Sequence, residues 1–482
     1  MSTIEQRALD YEFDEELIGF GEPERAPETP QRSLLEWIGL GIAGLGAVFF
    51  LLATLNGVML GTWGGFLASF GLLSVGALIT FAGHYRGTTP GIKHDDTFFN
   101  GSQNRGIVGW ALGIGITGFY VALYFYDSYW KEWGLPPVLD APIKLVDPLA
   151  EVLRNGPADR WFLYGTLYTF AVVVFGVRMF WRYRHNRYQL IRTGSVMFFQ
   201  LGFAFVLPNL LKMFHDKEYY FTYFWPLKYD YLFPSTFDWL RDGTNLGIFM
   251  LLWGTLMAIV GVPVLTYYFG KRWYCSWVCG CGGLAETLGD PFRQQSSKST
   301  VSWKIERWLI HSVLVLIVVT TAILWTNSWS QGELLGEASA TFSQFYGLWI
   351  GAVFSGVIGV GFYPLLGNRV WCRFGCPQAA ILGLFQRFFS RFRITTNGDQ
   401  CMSCGNCSTY CEMGIDVRAY AQRGENIVRA SCVGCGVCSA VCPRGVLKLE
   451  NGMTSADRYD DADSPITAFL NALKTPPEQG HN

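Results

Sequence analysis

Eight of the thirteen cysteines lie within residues 395–450, in two runs of identical spacing: Cys401-x2-Cys404-x2-Cys407-x3-Cys411 and Cys432-x2-Cys435-x2-Cys438-x3-Cys442. A tight loop of this spacing wraps three thiolates around one iron–sulfur cubane and directs the fourth cysteine, three residues on, to a neighbouring cubane. Cys401, Cys404, Cys407 and Cys442 are therefore expected to hold one [4Fe-4S] cluster, and Cys432, Cys435, Cys438 and Cys411 the other. Zinc sites instead use cysteine pairs with a longer spacer between them, and disulfide scaffolds need a far denser cysteine content. Both runs end in a related turn, Cys411-Glu412-Met413-Gly414-Ile415 and Cys442-Pro443-Arg444-Gly445-Val446, the mark of an internal repeat. Glu412 stands where proline follows Cys442, a change able to alter one cluster's potential or exposure.

The other five cysteines fall in two further motifs, Arg272-Trp273-Tyr274-Cys275-Ser276-Trp277-Val278-Cys279-Gly280-Cys281 and Arg369-Val370-Trp371-Cys372-Arg373-Phe374-Gly375-Cys376-Pro377. They align as Arg-x2-Cys-x3-Cys, as two halves of a pseudo-repeat would. On a helix, the i, i+4 spacing puts both thiols of a motif on one face. Two such faces meeting would present Cys275, Cys279, Cys372 and Cys376 together. Four thiolates suffice for a third [4Fe-4S] cluster, with Lys271, Arg272, Arg369 and Arg373 offsetting its negative charge. Tetrahedral zinc, a redox-active dithiol and four ordinary buried thiols fit the same residues, and Cys281 is an alternative ligand to Cys279.

What must position these groups is a membrane protein. Of 482 residues, 50% are apolar and only 16% charged, with a mean hydropathy of +0.22, which excludes a disordered or conventional soluble chain. The net charge of -1 leaves no basic excess for a phosphate backbone, so no nucleic-acid partner is expected. Eight apolar stretches, near 34–55, 58–83, 106–128, 161–181, 195–213, 245–269, 308–327 and 346–366, are long enough to cross a hydrocarbon layer as helices. The loops 84–106, 178–194, 270–307 and 367–394 hold 3, 5, 6 and 5 Lys and Arg, against 4, 4 and 0 in 129–160, 212–244 and 326–345. The heavier side should be cytoplasmic, which places both termini and all the cysteine motifs inside.

The expected fold is an all-α polytopic membrane helix bundle of about eight transmembrane helices with a C-terminal bacterial-type 2[4Fe-4S] ferredoxin-like module. Its divisions are a flexible cytoplasmic tail (1–33), a three-helix segment (34–128), a five-helix core carrying the C-x3-C motifs (161–394), the ferredoxin module (395–450) and a C-terminal tail (451–482). Glycines such as Gly39, Gly41, Gly44 and Gly46 suit close helix packing in lipid. The run Tyr219, Tyr220, Phe221, Tyr223, Phe224, Trp225 reads as an interfacial aromatic belt, or as a surface for a quinone head group or docked partner. His84, His185, His311 and His215 sit near helix ends instead of facing one another within the bilayer, which argues against haem b.

The order of these motifs over residues 160–450 resembles the membrane polyferredoxins of the NapH/NosR type, whose wider relatives include CcoG-like oxidase accessory proteins. The resemblance implies a carrier in the bacterial cytoplasmic membrane that links the quinone pool or cytoplasmic reductants to a partner redox enzyme or larger respiratory complex. Gly280 departs from the proline expected after Cys279, spans one to three lie outside the likeness, and the flavin-attachment motif of NosR does not occur. The expected function is one-electron relay between a cytoplasmic or quinone-pool partner and a membrane redox complex. The alternatives are an assembly or redox-sensing factor for another metalloenzyme and an anchoring subunit. No nucleophile with its base stands out, so no catalytic residues are assigned.

Overall fold

The computed structural model describes residues 32–86, 106–126, 134, 138–215, 217–242, 245–333, 335–397 and 400–451. The tails expected at 1–33 and 451–482 fall outside these, apart from residues 32, 33 and 451. Eight helices are long and apolar enough to cross a membrane: Leu34–Asn56, Trp63–Tyr85, Ile107–Phe125, Arg160–Arg182, Arg187–His215, Asn245–Phe269, Thr300–Trp329 and Ala338–Ile358, here spans 1 to 8. Leu45, Ile107, Val315 and Trp308 are among the large apolar side chains left exposed on them, as a hydrocarbon solvent requires. Spans 5 and 7 each begin eight residues before their apolar stretch. Their first turns are polar (Arg187, Gln189, Arg192; Lys304, Glu306) and continue the helix past the apolar layer, where Asn186 and Ser299 cap them. Span 8 begins at Ala338 and ends at Ile358, so the second C-x3-C motif follows a turn and a short helix, Tyr363–Leu366, instead of the span itself.

Span 1 starts at a capping box, Ser33 with Glu36, and ends at the left-handed Gly57. It packs on span 2 through glycine: a Cβ on Gly39 would lie 2.4 Å from Thr80 Oγ1, and one on Gly76 would lie 2.3 Å from the Ala43 nitrogen. Close approach thus explains Gly39 and Gly46, whereas Gly41 and Gly44 face open space.

After span 8 the chain forms strand β1 (Phe392–Thr396), which pairs antiparallel with β2 (Leu447–Asn451), Ile394 opposite Leu449. Between them the two cysteine runs repeat at a 31-residue offset that the backbone follows: Ser403 and Gly434 (φ 58° and 62°), Gly405 and Gly436 (79° and 74°), Gly414 and Gly445 (64° and 63°). These left-handed positions bend each loop inward and start the short helices Asn406–Thr409 and Val437–Ala440. Ile394, Met413, Ile415, Val417, Val433, Val437 and Val446 fill the module's core.

The second run is docked on the helix bundle. Tyr188 Oη donates to the Gly434 carbonyl (2.9 Å), Gln189 Nε2 to that of Cys435 (2.8 Å), Ser276 Oγ to that of Val433 (2.8 Å) and Gln386 Nε2 to that of Cys432 (2.7 Å). Backbone groups around the cysteines therefore find buried partners from three separate bundle segments. The module lies on the face of the bundle where span 4 ends and span 5 begins.

Candidate metal centres

Two small hollows of equal size, each about 20 Å³, lie inside the module. Cys401, Cys404, Cys407 and Cys442 line the first; Cys411, Cys432, Cys435 and Cys438 line the second. Each hollow thus draws three thiols from one run and one from the other. Among the described residues no group of three or more His, Cys, Asp or Glu side chains closes on a point as a single metal ion requires. A cubane is a wider body than one ion, and eight thiols around two hollows are a donor set that fits it.

The hollows differ in their surroundings. At the first, Cys404 is exposed beside Met402 (59% exposed), Pro443 and Arg444. At the second, Cys432 and Cys438 are buried, and the carbonyls of Cys432 and Cys435 accept hydrogen bonds from the bundle. Burial pushes the thiols of Cys407 and Cys432 up to about 11, so neither is a ready thiolate without a cation to bind. Ile415 N donates to Cys411 Sγ (3.4 Å).

The two C-x3-C motifs have one shared geometry, and it is not a continuous helix. The N–H of Cys279 donates to the Tyr274 carbonyl (2.8 Å), and that of Cys376 to the Trp371 carbonyl (2.9 Å), five residues back in both. Each second cysteine is then extended (φ -67°, ψ 125° and φ -81°, ψ 112°) and caps the next helix, Gly280–Glu286 or Pro377–Phe389. A turn thus replaces the expected i, i+4 face in both motifs, and in the second Pro377 further disfavours a helical Cys376. Cys275, Cys279, Cys372 and Cys376 are all buried. Burial pushes the Cys275 thiol up to about 12 and raises that of Cys376; Cys275, Cys279 and Cys372 share one buried cluster, and Cys376 belongs to a second, with Cys281 packed against both. A side-chain hydrogen bond from Cys281 holds Cys279 down at about 7.

Of the four cations expected around these thiols, two are there. Arg369 Nη1 donates to Cys372 Sγ (3.7 Å) and to the Cys275 carbonyl (3.3 Å), and Lys271 eases the burial of both Cys275 and Cys372. The other two are turned away. Arg272 stacks on Phe392 (4.4 Å) and reaches Asn451 (3.1 Å), clamping the module, while Arg373 pairs with Glu306 (2.7 Å).

Sequence reading missed a buried charge network that joins bundle to module. Asp290 takes Arg178 (2.9 Å), Arg182 and Arg293 (3.0 Å). Arg293 (3.2 Å) and Arg369 (2.9 Å) meet on Glu412, and Glu286 pairs with Arg369 (2.6 Å) and Arg192. Burial alone would raise the Glu412 carboxyl, but Arg369, Arg293 and Arg192 overcome it and hold the group down at about 2. The available signal was a carboxylate where its repeat has proline.

The aromatic run 219–225 is not a belt. Tyr219 (3% exposed) and Phe224 (2%) are buried, while Tyr220 and Tyr223 line a chamber of about 610 Å³ inside the bundle. Cys281, Gln200 and Tyr168 lie at its inner end, and Asp159, Lys212 and Glu218 at the face opposite the module. Gln200 Nε2 donates to Thr169 Oγ1 (3.1 Å), which leaves its buried Oε1 unpaired.

Fold and thiol sets together define a membrane iron–sulfur protein of the ferredoxin type. Residues 251–299 and 348–395, which carry the C-x3-C motifs, match the model of a 4Fe-4S binding domain, and residues 400–447 match a 4Fe-4S dicluster domain. Relatives include YccM of Escherichia coli (26% identical over 172 residues, 34% of this chain and 46% of YccM) and the methylamine utilization ferredoxin-type protein MauN of Methylobacillus flagellatus (27% over 172 residues, 33% and 56%). The ferredoxin-type protein NapH of Escherichia coli is 26% identical over 161 residues (32% of this chain and 53% of NapH). The chain spans about half the length of these curated relatives, and no solved structure matches it. These matches and the cysteine sets support [4Fe-4S] clusters and are consistent with a NapH-type polyferredoxin.

Proposed function

We propose that this chain relays single electrons between a cytoplasmic or quinone-pool partner and a membrane redox complex, using three thiol sets in series. The observation that carries the reading is their order: an exposed edge at Cys404, a buried hollow docked on the bundle, then the four C-x3-C thiols, with Cys281 forming the floor of a chamber within the bundle. A [4Fe-4S] cluster held at each set supplies one-electron oxidation and reduction. Cys401, Cys404, Cys407 and Cys442 would hold the first, Cys411, Cys432, Cys435 and Cys438 the second, and Cys275, Cys279, Cys372 and Cys376 the third. The protein's part is to bury the thiols, keep the sets adjacent and fix the charges around them.

The chamber supports a quinone or quinol as the membrane-side partner. Seven tyrosines stand among its lining residues, and the unpaired Gln200 Oε1 accepts a hydrogen bond only from a group that brings an O–H or N–H. With the Lys- and Arg-rich loops inside, the ferredoxin module faces the cytoplasm of a bacterium and the chamber's charged mouth faces outward. Iron and acid-labile sulfide, counted on anaerobically purified protein and on a Cys275→Ala, Cys372→Ala double variant, test this. Three sets require about twelve irons in the parent and about eight in the variant. About eight in both confines the relay to the ferredoxin module.

A further inference from the structure

Arg369 and Glu412 join two thiol sets through one ion pair. The guanidinium reaches Cys372 Sγ (3.7 Å) and the Cys275 carbonyl (3.3 Å) with Nη1, and Glu412 Oε1 (2.9 Å) with Nη2. Glu412 follows Cys411 in the chain and lines the hollow of Cys411, Cys432, Cys435 and Cys438. Both side chains are fully shielded, so neither charge is screened by water or salt. The pair is therefore oriented, its positive end on the C-x3-C thiols and its negative end on the second hollow.

Reduction adds an electron, so a nearby fixed cation raises a cluster's potential and a nearby fixed anion lowers it. We propose that Glu412 and Arg369 set a potential step between these two sites, so that a single electron rests preferentially on the C-x3-C side, toward the membrane. This goes further than relay alone, since it gives the path a built-in bias, and it rests on the reading that Cys275, Cys279, Cys372 and Cys376 hold a cluster. Other charges are present at both ends and partly cancel: Arg293 stands beside Glu412, and Glu286 beside Arg369. Lys271 lies between the two ends, acting on Cys275 and Cys372 and also on Cys432, and Arg192 acts with Arg293 on Cys435, so the step rests on the Arg369–Glu412 pair itself. The first hollow, lined by Cys401, Cys404, Cys407 and Cys442, has no part in the pair and serves as an internal reference. Glu412 and Arg369 act as positioning residues for charge; neither is a ligand.

The test is a spectroscopically monitored redox titration of the anaerobic full-length protein, with iron counted on every sample and the signals assigned with Cys411→Ala and Cys442→Ala. In Glu412→Gln the cluster of the second hollow should rise by about 59 mV, a tenfold change in its reduced-to-oxidised ratio for a one-electron couple. The cluster of the first hollow should not move, and Glu412→Asp, which keeps the charge, should restore the parent value. Arg369→Gln should shift the C-x3-C cluster the opposite way, downward. Opposite signs separate a charge effect from loosened packing, which would move both variants alike. Equal shifts in both ferredoxin clusters, or an unmoved potential in fully loaded Glu412→Gln, would overturn the step. About eight irons in the parent would instead overturn the reading beneath it, and the Glu412 variants would then report only on the second hollow.

Discussion

A Cβ placed on Gly280 would lie 2.8 Å from Gln200 Oε1 and 3.1 Å from the Tyr223 hydroxyl, so the glycine that stands where the second motif has Pro377 abuts two polar groups of the chamber wall. Gly280→Ala should force Gln200 and Tyr223 apart at a cost of about 1–3 kcal/mol, the usual range for overpacking. We expect full iron content, a slightly lowered melting temperature, and at least tenfold slower reduction of the clusters by a short-chain quinol. Unchanged quinol kinetics would remove the chamber from the electron path.

Crossed ligation makes an unusual prediction for single cysteines. Cys411→Ala, in the first run, should cost the cluster of the second hollow, and Cys442→Ala, in the second run, that of the first, because of which hollow each side chain lines. Each variant should keep about four irons fewer than the parent. Electron paramagnetic resonance spectra of the two should be complementary; loss of the same signal in both would contradict the pairing.

Cys281 and Cys279 compete for one role. Cys279 starts a helix as Cys376 does and shares its backbone hydrogen bond, whereas Cys281 opens on the chamber. Cys281→Ala should therefore retain about twelve irons and Cys279→Ala about eight. The reverse pattern would make Cys281 the ligand.

Asp290 holds three arginines, two from span 4 and one from the segment between spans 6 and 7, in a buried cluster. Asp290→Asn should destabilise the bundle by about 3–5 kcal/mol, since it removes the one carboxylate charge that three buried guanidiniums share. Thermal unfolding in detergent measures it, and a loss below about 1 kcal/mol would show that water or lipid compensates.

The same network carries a pH signature. Glu412 is depressed in the folded chain to about 2 from an ordinary 4.5, so its stabilisation is complete above 4.5 and is lost as pH falls through about 2. The docking of module on bundle should weaken over that window, and Glu412→Gln should flatten this part of the profile. Hydrogen exchange at Val433–Gly436 would follow it.

Several features were legible in the chain without any structure. Apolar length alone gave the eight spans, because lipid leaves a helix as the only open-ended way to satisfy a backbone. Cysteine spacing alone predicted the two sets of cysteines that line separate hollows, because a loop of two intervening residues has few ways to turn, and Ser403, Gly405 and Gly414 with their repeats at Gly434, Gly436 and Gly445 adopt them. Long-range placement was not legible. Periodicity put Cys275 and Cys279 on one helical face, but Tyr274 and Trp371 accept bonds that break both helices. Arg272 and Arg373 looked equivalent to Lys271 and Arg369 until the turn sent them outward. Glu286, Asp290 and Arg293 carried no signal, because a buried charge is recognised only by partners that lie far along the chain, and which charge meets which is decided when spans 4 and 5 and the module close on one another.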